Sequence, residues 1–455
     1  MILTKKLFGT FGIRGLANQE LTPKLAFDLG LVLATHLGGK SKVAVGYDNR
    51  TSSVMLEHAL VAGLAAGGCD AARFGLVPTP TLSFGIRHFS CDAGVMITAS
   101  HNPPEYNGAK FWDREGAGFV RSREKEVEHL FRGGGKIVGW DRLGRASKVD
   151  ALIPYINSLL GRVPKLRRKL KVVVDCANGA GSVVTPRVLT KLGCEVISMN
   201  AQPDGTFPGR LPEPSAEHLS ELTKVVVASG ADLGIAHDGD ADRTLIVDER
   251  GELLSGDRVF ALTAMHYLKG RKSPKIVTTV ATSSVLDDVA KRLGGGVVRT
   301  RVGEPEIVGE FRERGGDLGG EENGGIIFPD WLLCRDGIMT TVQFVELVAQ
   351  SGKPVSEVND SLPSYCQLKQ KVKCPDRLKQ RVLGVLARKL ARYKPDRMDG
   401  LRVVLDDGWF IVRPSGTEPI FRCFSEAHTR ERAEELAEMG MHFLKESIKA
   451  ARKRG

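Results

Sequence analysis

The sequence predicts an α/β protein of three related domains with mixed, largely parallel sheets, followed by a smaller C-terminal α+β domain. Three observations carry this expectation. The 455 residues exceed what one hydrophobic core serves and suggest three or four domains of ordinary size. An apolar strand, an amphipathic helix, a glycine stop and a second strand recur three times, the signature of βαβ units. Beyond Pro375 the pattern changes to strands around a turn and one long amphipathic helix.

Lys42–Asp48 reads as a buried strand, followed by a helix near Val54–Ala66, a Gly-Gly stop and a strand near Ala72–Leu76. Lys171–Asp175 opens a second copy, with a helix near Thr185–Leu192, the stop Gly193 and a strand Glu195–Met199. Lys275–Thr279 opens a third, with a helix near Ser284–Leu293, the stop Gly294–Gly296 and a strand Val297–Thr300. A spacing of roughly a hundred residues is far longer than a solenoid repeat, so the copies read as related domains. Linkers are expected near Gly133–Arg145, Gly251–Asp257 and Ser361–Pro375, which divides the chain into 1–148, 149–255, 256–365 and 366–455. In the last part Trp409–Arg413 and Ile420–Glu426 read as strands and Arg430–Ile448 as a helix.

With 42% hydrophobic and 26% charged residues, the composition is that of a soluble globular protein. A net charge of +11 favours anionic partners. Aromatic residues are only 6% and do not alternate with the basic ones, which argues against nucleic acid and for anionic small molecules. No apolar run approaches the length that spans a bilayer, and no signal peptide is legible, so neither membrane nor export is expected. The eight cysteines are scattered singly and fit no zinc site, as reduced thiols in a cytoplasmic protein would be. Oligomeric state is not readable.

Chemistry concentrates in a few segments. Thr98–Lys110 places Ser100 at the end of the apolar run Ala93–Ile97, before the rigid pair Pro103-Pro104. Taken alone, this serine is either a nucleophile or the cap of a turn. Asp238, Asp240 and Asp242 alternate in a turn between two apolar strands, where they can converge on one hard cation such as Mg²⁺. An EF-hand is excluded, because Arg243 stands where that loop needs glycine. Only three carboxylates leave coordination positions open, which a phosphoryl oxygen could fill. Arg413, Ser415, Gly416 and Thr417 combine guanidinium, hydroxyls and accessible backbone N–H groups, a set suited to a phosphate dianion. Gly319–Gly325 is a flexible loop whose Glu321, Glu322 and Asn323 suit sugar hydroxyls, and equally an ordinary exposed loop. Near the start, Phe8–Gly15 lacks the context of a dinucleotide loop, but Arg14 there adds positive charge.

Taken in chain order, Phe8–Gly15, Thr98–Lys110, Asp238–Arg243, Gly319–Gly325 and Arg413–Pro419 resemble the α-D-phosphohexomutase superfamily over the whole chain. The resemblance implies four domains around a central cleft and an isomerase that interconverts hexose 6-phosphate and 1-phosphate. It implies that Ser100 is a phosphoserine and that Asp238, Asp240 and Asp242 hold Mg²⁺ together with it. Arg14, His101, Lys110 and Arg243 match positive or proton-transferring positions around that serine, with Lys110 and His101 both open as the base. Glu321 and Asn323 match positions that hold sugar hydroxyls; Arg413, Ser415, Gly416 and Thr417 match those that hold the substrate's own phosphate. The intermediate implied is a hexose bisphosphate. Many relatives carry Ser where this chain has Asn323 and His where it has Gly325, which leaves the identity of the hexose open. Phosphoglucosamine mutase is the leading expectation, with a broad phosphomannomutase/phosphoglucomutase next and a Mg²⁺-dependent sugar phosphatase more remote.

Overall fold

A computed structural model describes residues 8, 12–416 and 418–453. Across the first sheet the strands run Ile13–Leu16, Tyr106–Asp113, Ala93–Ile97, Lys42–Tyr47, Asp70–Leu76 and Ala146–Lys148. The last four are mutually parallel, and Tyr106–Asp113 returns antiparallel beside Ala93–Ile97. The second sheet runs Thr244–Val247, Leu233–His237, Lys171–Asp175, Glu195–Met199. The third runs Ile326–Ile327, Leu318–Gly320, Lys275–Thr279, Gly296–Thr300. Each sheet therefore has the same centre: a first strand flanked by a second and a third, with an antiparallel return strand beside the third. Val172, Val173 and Val174 are fully buried, as runs of β-branched residues are when helices cover both faces of a sheet.

The C-terminal sheet is wholly antiparallel, in the order Cys366–Lys373, Ile420–Ala427, Gly408–Pro414, Leu401–Leu405, and packs under helices Asp376–Lys389 and Arg430–Lys453. Here two sequence expectations are corrected. The stretch Ser361–Pro375, read as linker, contains the strand Cys366–Lys373, paired residue for residue with Ile420–Ala427. It is an edge strand, and its lysines 369, 371 and 373 face water, where charge blunts unwanted pairing and hides the strand pattern. The segment at Gly251–Asp257 is likewise no free linker, since the helix Gly256–Tyr267 already begins within it.

The domains share interior. A single apolar cluster includes Phe84, Tyr155, Val172, Phe260, Trp331 and Phe344, drawn from all three α/β units. At its centre the buried Asp336 accepts from Tyr155 Oη at 2.8 Å, from Trp331 Nε1 at 2.9 Å and from the Met339 N–H at 2.8 Å, which caps helix Gly337–Ser351. The C-terminal domain docks on the third through Glu426, which accepts from the Ser284 N–H and from Trp409 Nε1, both at 2.8 Å. All eight cysteines are free and seven are buried. Among the described residues no helix is long and apolar enough to cross a membrane.

This repeat has a consequence for position. The turn between third strand and return strand holds Ser100 in the first unit, Asp238–Arg243 in the second and Glu321–Gly325 in the third. All three turns lie beyond the carboxyl ends of parallel strands, where open α/β sheets bind ligands.

The Tyr155 hydroxyl links helix Leu152–Leu160 to Asp336. Tyr155→Phe is expected to lower unfolding stability by about 1–2 kcal/mol, because Asp336 loses a buried donor. Denaturant unfolding beside unchanged turnover checks this.

Candidate active site

Ser100 sits fully buried with φ of +52°, a left-handed conformation that a non-glycine residue keeps only when its surroundings enforce it. Arg50 enforces it. Its Nη2 donates to the carbonyls of Ser100 at 2.8 Å and Asn102 at 2.6 Å. Its Nη1 donates to those of Pro103 at 2.6 Å and Tyr106 at 2.8 Å. Asp48 in turn accepts from Arg50 Nε at 3.1 Å and from Thr98 Oγ1 at 2.6 Å, while the Ser100 N–H donates to Thr98 Oγ1 at 2.8 Å. The guanidinium fork thus holds four carbonyls of one loop.

Across the domain boundary, Ser100 Oγ donates to Asp238 Oδ2 at 2.8 Å. This approach needs a glycine at 239: a Cβ there would lie 2.6 Å from the Ser100 carbonyl oxygen. Asp238, Asp240 and Asp242 are fully buried, and one ligand oxygen from each lies within 4.8 Å of the others. Burial, then the charges of Asp242 and Asp240, push the Asp238 carboxyl well above the usual carboxylate range. Burial opposes ionisation of Asp240 too, but Lys110 and Thr79 outweigh it and hold that carboxyl below the usual range. Lys110 Nζ donates to Asp240 Oδ2 at 2.9 Å and lies 3.6 Å from Asp242 Oδ2. Thr79 Oγ1 donates to Asp240 Oδ2 at 2.7 Å. Asp240 Oδ1 and Asp242 Oδ1 are buried and accept no hydrogen bond among the described residues. Clustered carboxylates with unused oxygens fit a hard divalent cation.

Around this centre, Arg243 Nη2 donates to His101 Nδ1 at 3.1 Å and Nη1 to Glu213 Oε1 at 3.3 Å. A guanidinium only donates, so His101 Nδ1 accepts and the ring proton is on Nε2. Burial, then Arg243, Arg14 and Lys110, push the imidazole pKa down, so the ring stays neutral. Arg14 Nη1 donates to Asn102 Oδ1 at 2.7 Å, and burial lowers its pKa to about 10.

The structure thus gathers Ser100, His101, Lys110, Arg14, Arg243 and the three aspartates, and adds Glu321 through Arg335. Arg335 Nη2 donates to Asp242 Oδ2 at 2.6 Å and Nη1 to Glu321 Oε2 at 3.1 Å. Asn323 lies in the same turn as Glu321, and its Oδ1 accepts from the Gly325 N–H at 3.1 Å, shaping the loop. Arg413, Ser415 and Gly416 form a separate group at the end of strand Gly408–Pro414 in the C-terminal domain. Arg413 Nε donates to Asp399 Oδ2 at 3.1 Å, the Glu418 N–H donates to Ser415 Oγ at 3.2 Å, and Gly416 is exposed. Thr417 lies outside the described residues. A buried Lys379 Nζ donates to the carbonyls of Ser415 and Glu418, both at 2.6 Å, and fixes this turn. Sequence reading missed Arg50, Arg335, Glu213, Thr79 and Lys379. The only sequence signal was Asp48-x-Arg50 closing a buried strand.

Family comparison agrees with this geometry along the chain. Models of the four phosphoglucomutase/phosphomannomutase domains match it in order. The α/β/α domains I, II and III match residues 5–136, 153–251 and 255–365, and the C-terminal domain matches 370–442. A "Phosphoglucomutase/phosphomannomutase" of Thermococcus kodakarensis is 47% identical over 98% of this chain and 99% of its own. A "Probable phosphoglucosamine mutase" of Methanopyrus kandleri is 45% identical over 98% of this chain and 99% of its own. The crystal structure of a phosphoglucomutase/phosphomannomutase family protein from Burkholderia thailandensis superposes with a TM-score of 0.87 at 27% identity, over 98% of this chain and 97% of its own. The chain belongs to the phosphoglucomutase/phosphomannomutase family of α-D-phosphohexomutases, isomerases that move a phosphate within a sugar phosphate.

Proposed function

We propose that this enzyme interconverts glucosamine 6-phosphate and glucosamine 1-phosphate through phosphorylated Ser100. The observation that carries the mechanism is the buried Ser100 Oγ, hydrogen-bonded to Asp238 amid Lys110, Arg243 and Arg14. A phosphoryl group on that oxygen meets the cations that its charge requires. In the forward step the P–Oγ bond breaks, a P–O bond forms to a sugar hydroxyl, and the hydroxyl proton passes to Lys110 or His101. The product is a hexose bisphosphate. After reorientation its other phosphate returns to Ser100, leaving the isomeric monophosphate. Asp238, Asp240 and Asp242, with an oxygen on Ser100, would hold Mg²⁺, which when bound offsets charge on the transferring group.

Glu321 and Asn323 hold sugar hydroxyls in this reading, and Arg413, Ser415, Gly416 and Thr417 grip the phosphate that is not reacting. The domains that carry these groups follow the division 1–148, 149–255, 256–365 and 366–455. The sugar is chosen from the relatives: several at 42–45% identity are named "Probable phosphoglucosamine mutase". A second reading is a phosphomannomutase/phosphoglucomutase of broad specificity, favoured by the 47% identical relative of that name. Kinetics on glucosamine, mannose and glucose phosphates side by side decide between them.

Ser100→Ala is expected to lose at least about a thousandfold in a coupled isomerisation assay, and freshly purified wild type to contain a species one phosphate heavier that the variant lacks. Arg50→Lys keeps the charge but not the fork over four carbonyls. It is expected to fold, with kcat down roughly tenfold to a hundredfold and KM little changed. Chelation is expected to abolish turnover and Mg²⁺ to restore it. In calorimetry Asp240→Asn weakens Mg²⁺ binding by about tenfold.

A further inference from the structure

Arg335 stands immediately before Asp336 and helix Gly337–Ser351, and its side chain crosses the closing end of the Glu321–Gly325 turn. A Cβ on Gly325 would lie 2.4 Å from Arg335 Cδ and 3.3 Å from its Cγ. Gly325 is not among the residues with positive φ, so the position needs glycine for space and not for backbone conformation. The middle of the arginine therefore occupies the volume that any side chain at 325 would take. Yielding is costly for it, because the far end is tied down three times. Nη2 donates to Asp242 Oδ2 at 2.6 Å, Nη1 donates to Glu321 Oε2 at 3.1 Å, and Nε lies 2.9 Å from Glu304 Oε2.

These three carboxylates come from different places: the acidic turn of the second domain, the glycine-rich turn of the third, and the first turn of helix Glu304–Arg314. All are buried, and so is Arg335. Buried carboxylates without a partner are costly, so moving one of them off the guanidinium disturbs the others. Lysine could not serve as well, since one ammonium lacks the planar fork that reaches three acids in fixed directions.

We propose that Arg335 is a positioning residue whose place is made by Gly325, and that it couples the cation-holding Asp242 to the sugar-facing Glu321. Hexose phosphate at Glu321 and Mg²⁺ at the aspartates then bind cooperatively through one guanidinium. The coupling rests on the mutase reading above. The steric pairing of 325 with 335 does not.

The test uses the full chain, with wild type, Arg335→Lys, Arg335→Ala, Gly325→His and the double variant Gly325→His/Arg335→Ala. Melting temperature reads the pairing. Gly325→His alone is expected to melt well below wild type, and the same histidine added to Arg335→Ala to raise its melting temperature. If Gly325→His melts like wild type, or if the histidine does not raise the melting temperature of Arg335→Ala, the pairing is wrong. Calorimetric titration of Mg²⁺, with and without glucosamine 6-phosphate, reads the coupling. In wild type the sugar phosphate is expected to tighten Mg²⁺ binding at least about fivefold. In folded Arg335→Lys that factor falls to near one and KM for the sugar phosphate rises more than kcat falls. An unchanged factor in Arg335→Lys, or none in wild type, overturns the coupling. Should wild type fail to isomerise any hexose phosphate, the mutase reading and the coupling fall, while the melting temperatures still decide the pairing.

Discussion

Everything in this site depends on three buried aspartates that share one turn. Like charges this close cannot all ionise in a dry interior unless cations are brought to them. The fold brings protein cations from three directions. Lys110 comes from the return strand of the first domain, Arg243 from the acidic turn itself, and Arg335 from the segment before helix Gly337–Ser351. The aspartates thus bind the domains together as well as preparing a cation site. Asp240 Oδ1 and Asp242 Oδ1 accept no hydrogen bond among the described residues, although Asp242 Oδ1 lies 3.8 Å from Arg243 Nε.

The threefold repeat explains how so few residues reach one place. Each α/β unit offers the same turn, between its third strand and its return strand, and each turn carries a different chemistry. One holds a serine, one the acids, one a glycine-rich loop. Repetition supplies the geometry, and substitution within a short turn supplies the function. The antiparallel C-terminal unit differs in design, and its Arg413–Glu418 turn is fixed from within by Lys379 and Asp399.

Much of this was legible in the sequence. The valine-rich strands and glycine stops revealed the repeat, and Ser100, the alternating aspartates and Arg413 stood out because each sits in a short motif with an unusual composition. The residues that hold those motifs in place did not stand out. Arg50 and Arg335 are two among 65 basic residues, and nothing in their spacing says that one will bridge four carbonyls and the other three carboxylates. Thr79 acts across a domain contact, and Glu213 meets Arg243 from a distant stretch of the same domain; no local pattern encodes either pairing. Lys369, Lys371 and Lys373 disguised an edge strand as linker, because a charged edge strand and a solvated tail look alike in composition.

The account stands or falls on whether Ser100 carries the phosphoryl group and returns it to sugar. The most direct measurement incubates the protein with hexose 1,6-bisphosphate labelled in its phosphates and follows the label through peptide mapping and product analysis. The account predicts label on the peptide containing Ser100 and on no other, discharged to hexose monophosphate when unlabelled substrate is added. Label found on a different residue, or recovered as inorganic phosphate in place of sugar phosphate, would contradict it.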